Sequence, residues 1–317
     1  MRHPILGLHH VTATVDDAQA DLDYCTDLLG LRLVKKTVNF DNHHVYHFYY
    51  GTERGVPGTI WTTFPYKGHG VRVGTKGAGQ VGTTSFSVPA ASLAFWQRRL
   101  KERGVAPREI RGRFGEDALA FDDPSGLHFE LVGSDADART PWSGSGVGAS
   151  EAIRGLHSVT MTVRSLGSTK ELMTELLGYQ VANEAEGRTR FVAGGNAPGH
   201  AIDVVVDPSA TAAINGVGTV HHVAMAISTG DEQVRLQQEL LTLGLRVTDV
   251  RDRCYFTSIY FREPGGVLFE VATMNPGFTI DEELASLGQG LKLPPWEEAH
   301  RSDIETHLPA ISQARRS

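Results

Sequence analysis

The sequence of 317 residues is poor in the features that mark secreted, membrane and nucleic-acid-binding proteins. Its two cysteines, Cys25 and Cys254, form no CxxC pair, which excludes a zinc knuckle, and we expect both thiols to stay reduced. No apolar run reaches roughly 18 residues, and residues 1–10 contain no apolar signal core. Lysine and arginine form no block, and the net charge is −7. We therefore expect a cytoplasmic protein that binds neither a membrane nor nucleic acid.

Glycine, in contrast, is abundant and marks an internal repeat. Four segments each open with an alternating strand pattern, continue into an amphipathic helix and reach a glycine suited to the left-handed end of a helix. Strand-like runs follow each helix. The opening strands begin at Leu8, Gly82, Leu156 and Val220, the predicted helices cover 16–29, 91–103, 165–177 and 230–243, and the glycines are Gly30, Gly104, Gly178 and Gly244.

This pattern predicts an α+β fold of four βαβββ units paired into two domains. Each pair is expected to form an open, cup-shaped mixed sheet with its helices outside. A polar, Gly/Ser-rich stretch divides the chain, so we predict a first domain of two units at 1–135, a linker at 136–152 and a second domain at 153–275. Residues 276–317 are predicted to form an arm that packs on the domains or on a second subunit, as in a homo-oligomer.

Two histidine pairs occupy the same position of the repeat, in LHHVT and VHHVA. Alternate side chains of a strand share a face, which places His10 with two threonines and His222 with two alanines, on small-residue faces that suit a cavity. Six residues past a proline turn in three units stand Thr63, Glu130 and Glu270. Glu270 lies in an apolar strand, where an unpaired carboxylate would be costly. Two histidines and one carboxylate are typical of a non-haem Fe(II) site.

These histidines also allow structural interpretations. A single HH pair at a strand start is normally a partly exposed strand end, and only its recurrence in phase with Glu270 favours metal binding. The inner units carry Thr83, Ser158 and Glu130 at the equivalent positions, so one cup is predicted to bind metal and the other to be vestigial. A competing cluster, His43, His44 and His47, lacks counterparts in the fourth unit, and we interpret it as mainly structural, with His47 lining the cup.

The repeated strands and the terminal GGVLFEVAT segment resemble the vicinal-oxygen-chelate superfamily, which includes glyoxalase I and extradiol dioxygenases. The chain more narrowly resembles ring-cleaving dioxygenases that open hydroquinones. The segments LVKKTVNFD, GVPGTIWTTFP, YFREPGG and GFTIDEELASLG carry this narrower resemblance.

The resemblance implies that His10, His222 and Glu270 ligate Fe(II), with Mn(II) as a substitute. It also implies roles near the substrate for further residues, which are His9, His221, Thr12, Arg253 and Tyr260. The plain alternative takes Tyr260 as a strand aromatic and Arg253 as a surface cation at a turn. By strict alternation His9 and His221 face away from the metal, so their participation requires a β-bulge or a strand end.

The implied function is extradiol-type cleavage of a hydroquinone- or catechol-like aromatic with O2. Arg253 would stabilise negative charge, while Tyr260 or a histidine beside the ligands would move protons. Two alternatives share the fold. A glyoxalase-type isomerase or lyase would hold Zn or Ni, usually with four protein ligands, and a non-catalytic small-molecule-binding protein would not need two histidines in phase.

Overall fold

The computed structural model describes residues 5–185 and 187–313. Two eight-stranded mixed sheets form the protein, and the four repeated units supply four strands each. The predicted α+β fold of four units in two curved sheets is confirmed. None of the helices within the described ranges is long and apolar enough to cross a membrane.

The first and fourth units form one sheet, which we name the outer sheet after their places in the chain. Its strand order is β14-β15-β16-β13-β1-β4-β3-β2, and the two units meet where β1 pairs antiparallel with β13. The strands are β1 (Leu8–Val15), β2 (Arg32–Asn39), β3 (Asn42–Gly51), β4 (Ile60–Pro65), β13 (Thr219–Ile227), β14 (Arg251–Asp252), β15 (Thr257–Arg262) and β16 (Leu268–Thr273).

The second and third units form the inner sheet in the same way, with order β10-β11-β12-β9-β5-β8-β7-β6 and an antiparallel β5–β9 joint. The strands are β5 (Gln80–Val88), β6 (Arg108–Arg113), β7 (Glu116–Asp122), β8 (His128–Gly133), β9 (Gly155–Val163), β10 (Gln180–Ala185), β11 (Arg188–Val192) and β12 (Ala201–Val206).

Strand pairing therefore crosses the predicted division of the chain. Each sheet takes one unit from 1–135 and one from 153–275, so neither cup is built from the two units of one predicted domain. The two sheets also share one hydrophobic core, in which Trp61 of β4 packs against Phe129 of β8 with ring centroids 5.0 Å apart. The predicted domain boundaries stay a prediction, and their outermost residues, 1–4 and 314–317, lie outside the described residues.

One helix follows the first strand of each unit, as the periodicity predicts. The four predicted terminal glycines all have positive φ, between 67° and 81°, where glycine avoids the steric cost of a Cβ atom. The helices are α1 (Ala18–Asp23), α2 (Leu93–Glu102), α3 (Gly167–Glu171) and α4 (Gly230–Thr242), and π-helical turns extend α1 through Tyr24–Leu28 and α3 through Leu172–Leu176.

The C-terminal arm packs against the outer sheet of its own chain. Lys35 of β2 is fully buried, and its Nζ lies 2.5 Å from both Asp281 Oδ1 and Glu282 Oε2 of the arm. Lys36 and Leu291 add a parallel backbone bridge. The arm ends in α5 (Arg301–His307), which lies against β3. An ion pair that leaves Lys35 no contact with water ties the arm to the sheet that carries the histidine pairs.

Asp21 of α1 provides a test of this packing. Its Oδ2 accepts hydrogen bonds from Thr63 Oγ1 at 2.6 Å and Tyr50 Oη at 2.8 Å, and burial raises the pKa of its carboxyl to about 7. The folded chain therefore holds a proton that the unfolded chain releases near its ordinary pKa of 3.8, and stability falls as pH rises from about 4 to about 7.

We expect Asp21→Asn to retain both hydrogen bonds through its amide oxygen while removing this ionisation. The free energy of unfolding is measured with urea between pH 4 and 8. The value for Asp21→Asn minus that for the unchanged protein should increase from about pH 4 to about pH 7 and stay constant above that. A constant difference at every pH would show that folding does not raise the pKa of Asp21.

Candidate metal centre

Three side chains predicted from the repeat converge at the centre of the outer sheet. His222 Nε2 lies 2.8 Å and His10 Nε2 3.2 Å from Glu270 Oε2, and the two ring nitrogens are 3.3 Å apart. All three residues are buried, and they line one side of a cavity of ≈ 540 Å³. The predicted convergence of the first and fourth units on one carboxylate is therefore present in the structure.

Strand register explains why these positions meet. His10 of β1 lies opposite Ala224 of β13, and Ala224 lies beside Glu270 on the parallel strand β16. His222 occupies the diagonal position, opposite Thr12. Because the residue between His10 and Glu270 is an alanine, no bulky side chain separates the imidazole from the carboxylate.

The preceding histidines join the site because each lies at an irregularity of the β1–β13 pair. The register shifts between Leu8 and His10 on β1, which leaves His9 without an opposite partner, and it shifts again where His221 would pair on β13. A β-bulge releases the extra residue from strict alternation. His9 Nδ1 lies 2.9 Å from His10 Nδ1, and His221 Nδ1 lies 2.8 Å from His222 Nδ1.

A backbone carbonyl decides where the protons lie on the first pair. The oxygen of Thr273, 3.2 Å from His9 Nε2, can only accept a hydrogen bond, so His9 carries its proton on Nε2. Burial lowers the pKa of His9 to about 3, so the ring is neutral and its Nδ1 accepts. His10 Nδ1 must then donate to His9. This leaves a free lone pair on His10 Nε2, the atom that faces Glu270.

The second pair differs at its outer nitrogen. Burial lowers the pKa of His221 to about 3, so this ring is also neutral. If His222 offers its Nε2 lone pair toward Glu270, its Nδ1 donates to His221, and the proton of His221 lies on Nε2. His221 lines the cavity, and within the described residues its Nε2 makes no hydrogen bond. With these tautomers His221 has an N–H group that makes no hydrogen bond to a described residue, whereas the N–H group of His9 is bonded to Thr273.

The charge at the centre fits a divalent cation. Glu270 is fully buried, and Ser258 Oγ donates a hydrogen bond to its Oε1. Its Oε2 has no hydrogen-bond partner among the described residues. Two imidazole lone pairs and one carboxylate oxygen that point at a common space are the donor set of a borderline divalent metal.

The other predicted residues occupy two different places. Arg253 and Tyr260 line the cavity, where Arg253 Nε donates to Tyr260 Oη at 3.0 Å and the Tyr260 ring lies 5.7 Å from that of His222. Thr12 does not line the cavity. It is fully buried and accepts a hydrogen bond at 2.8 Å from Thr62, whose oxygen lies 2.9 Å from His47 Nε2. Thr12 therefore supports His47, which lines the cavity as predicted.

Sequence reasoning missed several lining residues. Phe256 packs between the histidines, with ring centroids 4.8 Å from His9 and 5.3 Å from His10. Asp41, at the tip of the β2–β3 hairpin, reaches across the mouth to Arg253, with Oδ2 and Nη2 3.4 Å apart. Phe256 has the strand parity of the noted Tyr260, four residues on, so face alternation could have found it. Asp41 lies about 210 residues from Arg253 in sequence and carried no signal.

The inner sheet shows what replaces the metal donors. By register, Thr83, Ser158 and Glu130 stand where His222, His10 and Glu270 stand in the outer sheet. Burial opposes ionisation of Glu130, but Arg113 pairs with both of its oxygens and holds its pKa below the usual range. A guanidinium thus occupies the place that a cation would take, as the prediction of a vestigial cup requires.

Register also corrects one alignment. In the first unit Thr62, not Thr63, is the counterpart of Glu270, because Thr62 lies beside Thr12 two residues past His10. The third unit, which sequence could not align, carries Asp203 at this position. Asp203 pairs with Arg188 and Arg190.

Comparison with known proteins agrees with this architecture. The sequence model of the Glyoxalase/Bleomycin resistance protein/Dioxygenase superfamily matches residues 7–131 and 155–271. The chain belongs to this superfamily. The family resemblance predicted from the strand motifs is therefore confirmed.

Relatives within the superfamily match almost the whole chain. MhqE of Bacillus subtilis (strain 168), named as a candidate ring-cleaving dioxygenase, is 44% identical over 305 residues that cover 96% of this chain and 99% of MhqE. The chlorohydroquinone/hydroquinone 1,2-dioxygenase of Sphingobium indicum is 37% identical over 305 residues, 94% of each chain. A crystal structure of a candidate dioxygenase from Bacillus subtilis subsp. subtilis strain 168 has a TM-score of 0.94 at 40% identity, covering 99% of this chain and 100% of that chain.

The inner-sheet ion pair is open to a stability test. We expect Arg113→Met to lower the free energy of unfolding by about 3 kcal/mol, because it leaves Glu130 buried without its cation. The double variant Arg113→Met/Glu130→Leu should recover most of that loss, since no charge remains buried there. Urea denaturation of both variants and of the unchanged protein measures these effects. Equal stabilities of Arg113→Met and the unchanged protein would show that Arg113 does not stabilise the buried carboxylate.

Proposed function

We propose that this protein is an Fe(II)-dependent dioxygenase that opens the ring of a hydroquinone- or catechol-like phenol with O2. The observation that carries the proposal is the convergence of His10, His222 and Glu270 on one buried point at the wall of an aromatic-lined cavity. The ring-cleaving relatives support the reaction class. Mn(II) suits the same donors and is the alternative ion.

Fe(II) held by the three side chains would supply a redox-active centre with open positions, at which a phenolic oxygen and O2 are brought together. The chain supplies the rest of the environment. Phe256, Phe64 and Tyr49 give the cavity flat apolar walls that suit an aromatic ring. Arg253, whose side chain is 16% exposed, places a positive charge at the cavity wall, where it favours an anionic phenol or a developing oxyanion.

Two neutral donors can serve the oxygens of the substrate. Burial raises the pKa of Tyr260, so it stays protonated at neutral pH, and because its oxygen accepts from Arg253, its own O–H is available to the cavity. His221 presents Nε2–H to the same space. We assign to Tyr260 and His221 the transfer of protons to and from substrate oxygens, and to His9 the positioning of His10.

The donor count favours this proposal over a glyoxalase-type isomerase or lyase that uses Zn or Ni. Within the described residues three side chains, not four, form the central group of potential ligands. A non-catalytic binding protein would have no use for a buried carboxylate set between two imidazoles, because each of these groups costs desolvation energy.

Removing a ligand tests the metal assignment. We expect His222→Ala and Glu270→Ala each to reduce iron bound to the anaerobically loaded protein to background and to abolish O2 uptake with hydroquinone. Far-UV circular dichroism should stay unchanged, since the sheets do not depend on the metal. Thr83→Ala, at the position of the inner sheet that is equivalent to His222, is the matched control and should keep both properties.

Metal analysis and an oxygen electrode provide the measurements. Unchanged iron in the ligand variants would refute the ligand assignment. Full iron occupancy without O2 uptake on any dihydroxybenzene would refute the dioxygenase while leaving the metal centre intact.

The two bulged histidines offer a second test, since they differ only in what Nε2 faces. Both His9→Gln and His221→Gln should weaken iron affinity by about 10- to 100-fold, because each ring orients a ligand. At saturating iron, only His221→Gln should lower kcat, by about 100-fold, because only His221 offers a donor to the substrate. Steady-state kinetics at several iron concentrations separates the effect on iron affinity from the effect on kcat. Equal kcat values for the two variants would show that His221 has no catalytic role beyond that of His9.

A further inference from the structure

A second group of histidines lies outside the central site, where the C-terminal arm meets the β2–β3 hairpin. His43 and His44 come from the start of β3, and the arm contributes two carboxylates and two more histidines. We name this group the arm cluster, and its members are His43, His44, Glu297, His300, Asp303 and His307. We propose that the arm cluster binds a zinc ion, which fastens the arm to the hairpin.

The ligand atoms are already close together. One atom each from His43, His44 and Asp303 lies within 4.8 Å of the others. His44 Nε2 is 2.9 Å from Asp303 Oδ2, and His43 Nδ1 is 2.8 Å from Glu297 Oε2. The rings of His43 and His44 have centroids 4.5 Å apart. Two imidazoles and a carboxylate within this span need only small rotations to meet one ion.

The backbone explains how two consecutive histidines can both contact the C-terminal arm. Asn39 pairs with Asn42 but Val38 pairs with Tyr46, so the β2–β3 register shifts across the hairpin and residues 43–45 are excess on β3. His43 and His44 are therefore free of the alternation that would send them to opposite faces. Both side chains turn toward the arm.

The remaining cluster members complete the surroundings of the proposed ion. His300 Nδ1 lies 3.3 Å from Glu297 Oε2, so it holds that carboxylate near His43. His307 stacks on His44 with centroids 4.3 Å apart and is bonded to the Asp303 carbonyl at 2.8 Å. Glu297 and Asp303 offset the charge of a divalent ion. Nitrogen and carboxylate donors together favour zinc over calcium or magnesium.

Exposure separates this site from the central one. The side chains of His43 and His44 are each 32% exposed, so an ion reaches them from solvent without opening the fold. Phe40 and Asp41 form the tip of the hairpin. The ring of Phe40 packs on Trp296 of the arm with centroids 5.6 Å apart, and Asp41 borders the cavity mouth. Zinc at the arm cluster would hold the hairpin tip in place beside that mouth.

Equilibrium dialysis of chelator-treated full-length protein against Zn²⁺ tests the proposal apart from the central site. Because His222→Ala removes the central site, we expect that variant to retain one zinc ion per chain. His222→Ala/Asp303→Asn and His222→Ala/His44→Ala should bind none. His222→Ala/His128→Ala, which changes an exposed histidine paired with Asp122 elsewhere, is the matched control and should bind as the single variant does.

Thermal unfolding supplies an independent readout. Zn²⁺ should raise the midpoint of His222→Ala and of the His128 control, and it should have no effect on the two cluster variants, whose folding without zinc is checked by circular dichroism. Equal zinc binding by His222→Ala and both cluster variants would overturn the proposal, as would absence of zinc from His222→Ala. Neither result bears on the central metal centre, which the ligand variants test separately.

Discussion

The buried carboxylate of Glu270 is the constraint around which the outer sheet is organised. A charge with no access to water is tolerated in a protein only when it is compensated. Two imidazoles, from the first and fourth units, approach the Oε2 of Glu270 within 3.2 Å and form with it a set of donors for a cation. To bring them there, the first and fourth units must pair strand to strand. The β1–β13 pairing and the alanine at position 224 allow His10 and His222 to approach Glu270, and the two bulges add His9 and His221.

The inner sheet compensates the same position in another way. Its Glu130 and Asp203 occupy register positions equivalent to those of Glu270 and Thr62, but three arginines pair with them, and neither carboxylate is paired with a histidine among the described residues. In both sheets, therefore, a buried carboxylate lies against nitrogen-containing side chains. An arginine partner yields a closed ion pair, whereas two histidines yield a set of free lone pairs beside a cavity. The chemistry of the outer sheet follows from this difference, since the backbones of the two sheets are equivalent.

The paired histidines show how local irregularity extends the site. A regular strand would send His9 and His221 behind the sheet, away from His10 and His222. The bulges bring both rings back within hydrogen-bond distance of His10 and His222. The Thr273 carbonyl then determines the tautomer of the first pair, whereas His221 of the second pair faces the cavity. Identical sequence motifs therefore acquire different roles because their second ring nitrogens face different surroundings.

Local pattern alone determined the four units, their helices and terminal glycines, and the residues His10, His222 and Glu270, because strand alternation and repeat phase depend on neighbours in the chain. Only the tertiary structure decided which units share a sheet, that Thr12 supports His47 instead of facing the cavity, and that Asp41 borders the site. Those outcomes depend on lateral strand pairing and register. Both are set by contacts between residues far apart in sequence, and no local periodicity encodes them.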